Sequence, residues 1–159
     1  MKEVPEKYML RNATTHDLDK VAALYRDWVS EASTHGLVAD TADDLLCRLG
    51  PHFILATGKD GRIVGFAIAE VSSEHLCIFP RGENYLVLHD LYVTPDSRGQ
   101  GVGSVLVTAI LQSGETRGIH RFTTYSANKD WQRTFNFYRE LGFEIWSLSL
   151  FLDKTPTST

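Results

Sequence analysis

Apolar residues recur along the chain at two spacings, one typical of a helix face and one typical of a strand. The helical spacing occurs in four stretches, so the sequence predicts about four helices. They are expected from Leu18 onward, after a Thr14-x-x-Asp17 pattern that resembles a capping box, over residues 41–49, from Val102 to a stop at Gly118, and over residues 131–141, which Gly142 ends.

Short runs rich in β-branched and aromatic residues lie between the helical stretches and predict six to seven strands. FILAT at residues 53–57 and RIVGFAIAEV at residues 62–71 are joined by a turn that contains Asp60-Gly61, so we expect a hairpin. Further strands are predicted at residues 8–13, 85–93 and 121–125, and one or two closing strands at residues 143–152. Strands that alternate with helices predict an α/β domain, of the mixed α+β kind.

Length and charge narrow the class of protein. With 159 residues, 43% of them hydrophobic, the chain is long enough for one compact domain, which we assign to residues 1–153, with residues 154–159 as a polar tail. A formal net charge of −4, without a run of lysine and arginine, disfavours nucleic acid as a partner. The charged stretch at residues 1–17 resembles neither a signal peptide nor a membrane span, so we expect a cytoplasmic protein without a membrane partner. Cys47 and Cys77 stand in no metal-ligand spacing and predict reduced thiols and no metal.

Residues 93–107 read VTPDSRGQGVGSVLV and place three glycines, at positions 99, 101 and 103, where the third helix is expected to begin. The first backbone N–H groups of a helix have no intrahelical partner, and the helix dipole adds positive charge there. Glycine lets an anion approach the backbone, and Arg98 adds a cation with several N–H donors. The segment therefore predicts a binding site for a phosphate or a pyrophosphate.

Two common nucleotide-binding motifs do not fit this segment. A P-loop requires GxxxxGK[ST], but no lysine follows the glycines, and Leu106 interrupts a GxGxxG pattern. Instead, RGQGVG after DLYVTP resembles the R/Q-x-x-G-x-G/A motif of the GCN5-related N-acetyltransferases, with Arg98, Gly101 and Gly103 as the matches. FYRELGF at residues 137–143 resembles the second motif of that family, and the order of elements resembles it over nearly the whole chain.

The resemblance implies the acyl-CoA N-acyltransferase fold, a twisted, mixed, mostly antiparallel sheet with helices on both faces and a V-shaped opening between DLYV and RFTTY. It implies acetyl-CoA as cosubstrate, with its pyrophosphate at the glycine segment and its pantetheine arm along the preceding strand. Trp131 stands where many members have asparagine, so Asn128 is the candidate for that pantetheine contact. The other implied binding residues are Leu91, Tyr92, Val93, Arg98, Gly99, Gln100, Gly101, Val102, Gly103 and Ser104.

The resemblance also implies direct attack of an amine on the thioester carbonyl. A backbone N–H near Leu91 is expected to stabilise the developing oxyanion. Tyr138 matches the tyrosine that protonates the leaving thiolate in this family, although its helical spacing with Trp131 and Phe135 also fits a purely structural tyrosine.

A base must also accept a proton from the amine. His89 occupies the position of a glutamate that serves this purpose through water in the family, and Asp90 beside it is a second candidate. The alternatives are that His89 packs between sheet and helix, and that Asp90 caps a loop or pairs with a cation.

The acceptor is expected to be a small-molecule primary amine, such as a polyamine, an amino sugar or an amino acid. Trp28, Glu31 and Tyr85 are the candidates for binding it, although acidic residues also belong to an ordinary solvated surface. Acetylation of a peptide or protein amine, and a sensor that binds acyl-CoA without turnover, are the alternatives. The alternating apolar residues at 146–152 either cover the chain's own core or form a homodimer.

Overall fold

A five-stranded sheet organises the computed structural model, which describes residues 7–152 and residue 154. The strands lie in chain order, the first four antiparallel and the fifth parallel to the fourth. They are β1 (Tyr8–Asn12), β2 (Phe53–Gly58), β3 (Ile63–Ser72), β4 (Tyr85–Val93) and β5 (Phe122–Thr124). The helices are α1 (Leu18–Ser30), α2 (Ala42–Leu46), α3 (Val102–Glu115) and α4 (Trp131–Glu140).

Helices cover both faces of the sheet, as predicted. Phe53 and Leu55 of β2 pack with α1 and α2, whereas Ile54 and Ala56 of the same strand pack with α3. Since a strand points successive side chains to opposite faces, a strand covered on both sides consists almost entirely of apolar residues. All six residues of β2 are buried, which explains why its sequence shows no alternation.

The capping box and the turn predicted from the sequence are both present in the structure. Asp17 accepts hydrogen bonds from the backbone N–H and the hydroxyl of Thr14, which completes the capping box before α1. Hydrogen bonding from Arg11, followed by that from Thr14, outweighs burial and holds the pKa of Asp17 far below its usual range. The turn between β2 and β3 has Gly61 at φ 78°, a conformation that glycine adopts without strain.

Residues 143–152 form no strand, so the closing strands predicted there are wrong, and the described part of the chain has a sheet of five strands rather than six to seven. Alternation predicts a strand only where a neighbouring strand is available, and β5 offers an edge of only three residues. Leu148 and Leu150 are 78% and 84% exposed, so the alternating apolar side chains do not cover this chain's own core. The tail predicted at residues 154–159 lies outside the described residues, except for Lys154.

α2 is shorter than predicted, since it covers Ala42–Leu46 rather than residues 41–49. Thr41 is its N-cap and exchanges hydrogen bonds with Asp44, and the Gly50-Pro51 pair follows soon after. Within the described residues, no helix is both long and apolar enough to cross a membrane.

His52, just before β2, is a buried titratable residue. Its Nδ1 lies 2.6 Å from Ser113 Oγ on α3, and Ser113 donates its hydroxyl proton to the Ile110 carbonyl, so His52 is the donor to Ser113. Burial, and then the charge of Arg117, lower the pKa of His52 below its usual value.

We expect this histidine to make stability fall on mild acidification. The unfolded chain takes up a proton at His52 at a higher pH than the folded chain, so the free energy of unfolding decreases below about pH 6.5. In His52→Asn, which keeps a donor for Ser113, the decrease between about pH 7.5 and pH 5 should be shallower. Urea unfolding at several pH values measures this, with exposed His16→Asn as the control. Equal slopes in the wild type and His52→Asn would contradict the prediction.

Candidate functional site

The sheet opens between β4 and β5. The two strands pair only from Leu86 with Phe122 to Leu88 with Thr124, whereas β4 continues to Val93 with β3 still at its other edge. At residues 89–93, the edge of β4 that faces β5 therefore has no neighbouring strand. That edge faces a cavity of about 830 Å³, which is the V-shaped opening implied by the sequence.

A β-bulge lies at the mouth of this opening. Ile68 of β3 pairs with Asp90, but the next residue, Ala69, pairs with Leu88, so His89 is an extra residue in β4. A bulge shifts which face the following side chains point to. As a result Leu86 and Leu88 belong to the core on the α3 face, whereas Tyr92 belongs to the core on the α1 face.

His89 lines the cavity with its side chain 40% exposed. Its Nε2 lies 3.9 Å from a Glu70 carboxylate oxygen, too far for a direct hydrogen bond. The structure therefore leaves the imidazole accessible to a ligand or a water in the cavity.

Asp90 is held in an ion pair with Arg48, a partner that the sequence did not identify. Arg48, after α2, donates to Asp90 over 2.6 Å and also to Asp40, Glu70 and the Tyr25 hydroxyl. The Arg48 side chain is only 19% exposed, so these contacts are largely shielded from water. The geometry agrees with the alternative in which Asp90 pairs with a cation.

The glycine segment forms the loop into α3, and its glycines have two different roles. Gly99 and Gly101 have φ values of 71° and 83°, and Gly101 is the N-cap of α3. Gly103 has an ordinary φ, but a Cβ there would lie 3.4 Å from the Phe137 ring of α4. The cavity thus reaches the helix N-terminus between these two helices, with Val102 and Ser104 also in its wall.

Gln100 is the member of this loop that points away from the cavity. Its Nε2 donates to the Asp96 carbonyl, and its Oε1 accepts from Lys7 and, over 2.7 Å, from the Tyr8 hydroxyl. Its side chain therefore ties the loop to β1.

Arg98 lines the cavity but already has an anionic partner. Its Nη2 lies 2.7 Å from both carboxylate oxygens of Glu31, and its Nε donates to the Val93 carbonyl. The Tyr92 hydroxyl donates to Glu31 as well, and Trp28 stacks on the Tyr92 ring. Two of the predicted acceptor residues, Trp28 and Glu31, are thus in the cavity wall, in contact with residues predicted to bind the cosubstrate.

Tyr85, the third predicted acceptor residue, lies elsewhere. It is buried, its hydroxyl is hydrogen-bonded to Ser72, and its ring packs on Phe79. Since its position comes before the bulge, at the paired end of β4, it does not line the cavity.

Asn128 lies where the end of α1 meets the loop after β5. Thr34 forms an antiparallel bridge with Asn128, flanked by hydrogen bonds from His35 N to the Ala127 carbonyl and from Lys129 N to the Ser33 carbonyl. Asn128 Oδ1 accepts from the Asp130 N–H, so this side chain shapes the start of α4. These two loops close the cavity on one side.

Tyr138 of α4 lines the same cavity. Its ring packs edge-on against Phe137 and Phe143, and its hydroxyl lies near Thr124, the last residue of β5. Burial raises the pKa of Tyr138, against a smaller lowering by the nearby Thr124 hydroxyl, and the charge of Asp90 adds a still smaller increase. The phenol is therefore protonated at neutral pH, and it lies in the cavity wall.

Comparison with known proteins identifies the family. The model described as the Acetyltransferase (GNAT) family matches residues 18–143. The chain belongs to this family. Over 110 residues it is 34% identical to a mycothiol acetyltransferase of Arthrobacter sp. (strain FB24). The matching region covers 69% of this chain and 32% of that relative. The chain thus spans about a third of the length of this relative.

Two further similarities cover more of both chains. An L-methionine sulfoximine/L-methionine sulfone acetyltransferase of Pseudomonas paraeruginosa is 27% identical over 143 residues, 86% of this chain and 80% of that protein. An aminoglycoside N-acetyltransferase solved in complex with CoA has a TM-score of 0.71 at 19% identity and covers 98% of this chain and all of its own. At this low identity the structural similarity shows the shared GNAT fold.

The GNAT fold brings most of the predicted site residues into one cavity, and Gln100 and Tyr85 are the exceptions. Sequence reasoning missed Arg48 and Thr124. Arg48 follows a short helix and is separated by 42 residues from Asp90, so no motif connects them. A smaller cavity of about 460 Å³, at residues 83–84 and 117–121, contains none of the predicted site residues.

Proposed function

We propose that the protein transfers an acetyl group from acetyl-CoA to a primary amine of a small molecule. One observation carries this proposal: a single cavity joins a glycine-lined helix N-terminus, an unpaired strand edge and the Tyr138 hydroxyl. The helix N-terminus suits a pyrophosphate, and the unpaired strand edge suits an extended arm with amide groups. The Tyr138 hydroxyl suits a leaving group that needs a proton.

Each part of the cavity has a defined task in this proposal. Acetyl-CoA would supply a thioester carbonyl open to attack by a neutral amine. Backbone N–H groups from Gly101 to Ser104 bind the pyrophosphate, and the free edge of residues 91–93 holds the pantetheine arm in an extended conformation. A backbone N–H near Leu91 stabilises the charge that develops on the carbonyl oxygen. Tyr138 donates its proton to the sulfur as the thiolate leaves.

His89 is the better candidate for the base. Asp90 accepts a 2.6 Å hydrogen bond from Arg48, and this ion pair would have to break before Asp90 could take up a proton. His89 is accessible from the cavity, and an imidazole can act as a general base on the amine, directly or through water.

Replacing His89 with alanine should lower kcat/KM and remove the acidic limb of the pH profile. A protonated histidine no longer serves as base, so wild-type kcat/KM should fall with acidification. One acceptor must be used for both proteins, because the amine has its own titration. His75→Ala, at an exposed site outside the cavity, is the matched control. An unchanged pH profile in His89→Ala would assign His89 a structural role.

The relatives favour a small acceptor. The Arthrobacter relative is named for mycothiol, the Pseudomonas relative for methionine derivatives, and the structural neighbour for aminoglycosides. Release of CoA thiol with a panel of polyamines, aminoglycosides, amino acids and peptides tests the proposal. Turnover of peptides alone would favour protein acetylation. CoA binding without turnover of any amine would favour a sensor.

We also propose that the exposed apolar residues at the C-terminal side of α4 meet a second copy of the chain. Ile145, Leu148, Leu150, Phe151 and Leu152 are each more than half exposed, a concentration that favours an interaction surface. Light scattering at micromolar concentration should give the mass of a dimer. The mass of a monomer would reject this proposal.

A further inference from the structure

Glu31, Tyr92 and Arg98 form a contact cluster in the wall of the proposed cosubstrate site. Arg98 Nη2 lies 2.7 Å from each carboxylate oxygen of Glu31, and the Tyr92 hydroxyl donates to Glu31 over 2.9 Å. The Glu31 side chain is only 21% exposed, although it lies at the end of α1. The Glu31 carboxylate therefore forms a direct ion pair with the Arg98 guanidinium, just after β4.

The ion pair with Glu31 conflicts with a role for Arg98 as a cation that only binds the pyrophosphate. The sequence predicts that Arg98 adds positive charge for the pyrophosphate, but in the structure Glu31 already compensates that charge. A pyrophosphate oxygen and a carboxylate oxygen offer the same kind of acceptor to a guanidinium group. They therefore compete for the same donors.

We propose that Glu31 occupies Arg98 in place of the cosubstrate and that the pyrophosphate displaces it on binding. This inference rests on the proposed function and adds a step to cosubstrate binding. Glu31 is then a residue that sets the affinity for CoA by competition, in addition to any contact with the acceptor.

The surrounding contacts keep the free-energy cost of this exchange low. Arg98 Nε donates to the Val93 carbonyl over 2.9 Å, and its guanidinium lies over the Tyr92 ring, so the cation stays in place when Nη2 changes partner. Glu31 retains the hydrogen bond from the Tyr92 hydroxyl, so the displaced carboxylate still has a donor. The Arg98 side chain is 36% exposed, and a partly exposed pair of this kind contributes little to stability.

Competition and simple positioning predict opposite results. If Glu31 competes with the pyrophosphate, Glu31→Gln frees Arg98 and should tighten CoA binding about 3- to 10-fold. If Glu31 only holds Arg98 in position, the same variant should weaken CoA binding. Arg98→Gln should weaken binding, and adding Glu31→Gln to it should tighten binding clearly less than it does in the wild type, because the competition for Arg98 no longer exists and only the repulsion between Glu31 and the pyrophosphate is removed.

Calorimetric titration of CoA into the wild type, both single variants and the double variant measures these affinities. Thermal melting of each protein controls for folding. If Glu31→Gln does not fold, Glu31→Asp replaces it, since the shorter side chain weakens the same pair and should also tighten binding. Unchanged or weaker CoA binding in the folded Glu31 variant overturns the exchange. Absence of CoA binding by the wild type overturns instead the proposed function.

Discussion

Gly103→Glu should abolish CoA binding in a protein that still folds. Gly103 lies in the first turn of α3, in the cavity wall where the helix N-terminus is proposed to bind the pyrophosphate. A glutamate there adds bulk and a negative charge beside a doubly charged ligand, and it also opposes the attraction of the helix dipole for that ligand. We expect the affinity for CoA to fall by at least about 100-fold, beyond the range of calorimetric titration.

Two variants separate the causes of this loss. Gly103→Ala adds only a Cβ, which would lie 3.4 Å from the Phe137 ring, so it tests whether Gly103 is needed merely for packing against α4. Gln112→Glu adds the same charge to α3 outside the cavity. Both controls should bind CoA nearly as the wild type does. Unchanged CoA affinity in folded Gly103→Glu would reject the assignment of this loop to the pyrophosphate.

The parts of the fold that depend on local pattern were predictable. β4 was expected at residues 85–93 and has these bounds, because apolar residues fill it and turn-forming residues flank it. The start of α1 was predictable for the same reason, since the capping box lies within four consecutive residues. The glycine segment was recognisable because its chemistry is carried by the backbone of one short stretch.

Features that depend on contacts between distant segments were not predictable. The bulge at His89 results from the pairing of β3 with β4, and nothing in the residues around His89 indicates it. Because of this bulge, Asp90 meets Arg48 on the α1 and α2 face, so the sequence allowed pairing with a cation as an alternative for Asp90 but did not indicate Arg48 as the partner. Likewise, the alternating residues at 146–152 have the pattern of a strand, but the structure gives them no neighbour to pair with.

Tyr138→Phe should lower kcat about 10- to 1,000-fold while CoA binding and stability change little. The ring of Tyr138 packs against Phe137 and Phe143, and phenylalanine retains both contacts. Only the hydroxyl near Thr124 is lost. Because burial raises the pKa of this phenol, it is protonated throughout the neutral range and its proton is available when the thiolate leaves.

Steady-state turnover, thermal melting and CoA titration on the same preparations distinguish the two roles of this tyrosine. Tyr85→Phe is the matched control, since it removes a buried, hydrogen-bonded hydroxyl from a tyrosine outside the cavity. A general acid predicts that kcat falls in Tyr138→Phe alone, with the affinity for CoA retained. Unchanged kcat would exclude this role, because no other change was made at the site. A large loss of stability with a proportionate loss of CoA binding would instead show that the hydroxyl serves the core, through its link between α4 and the end of β5.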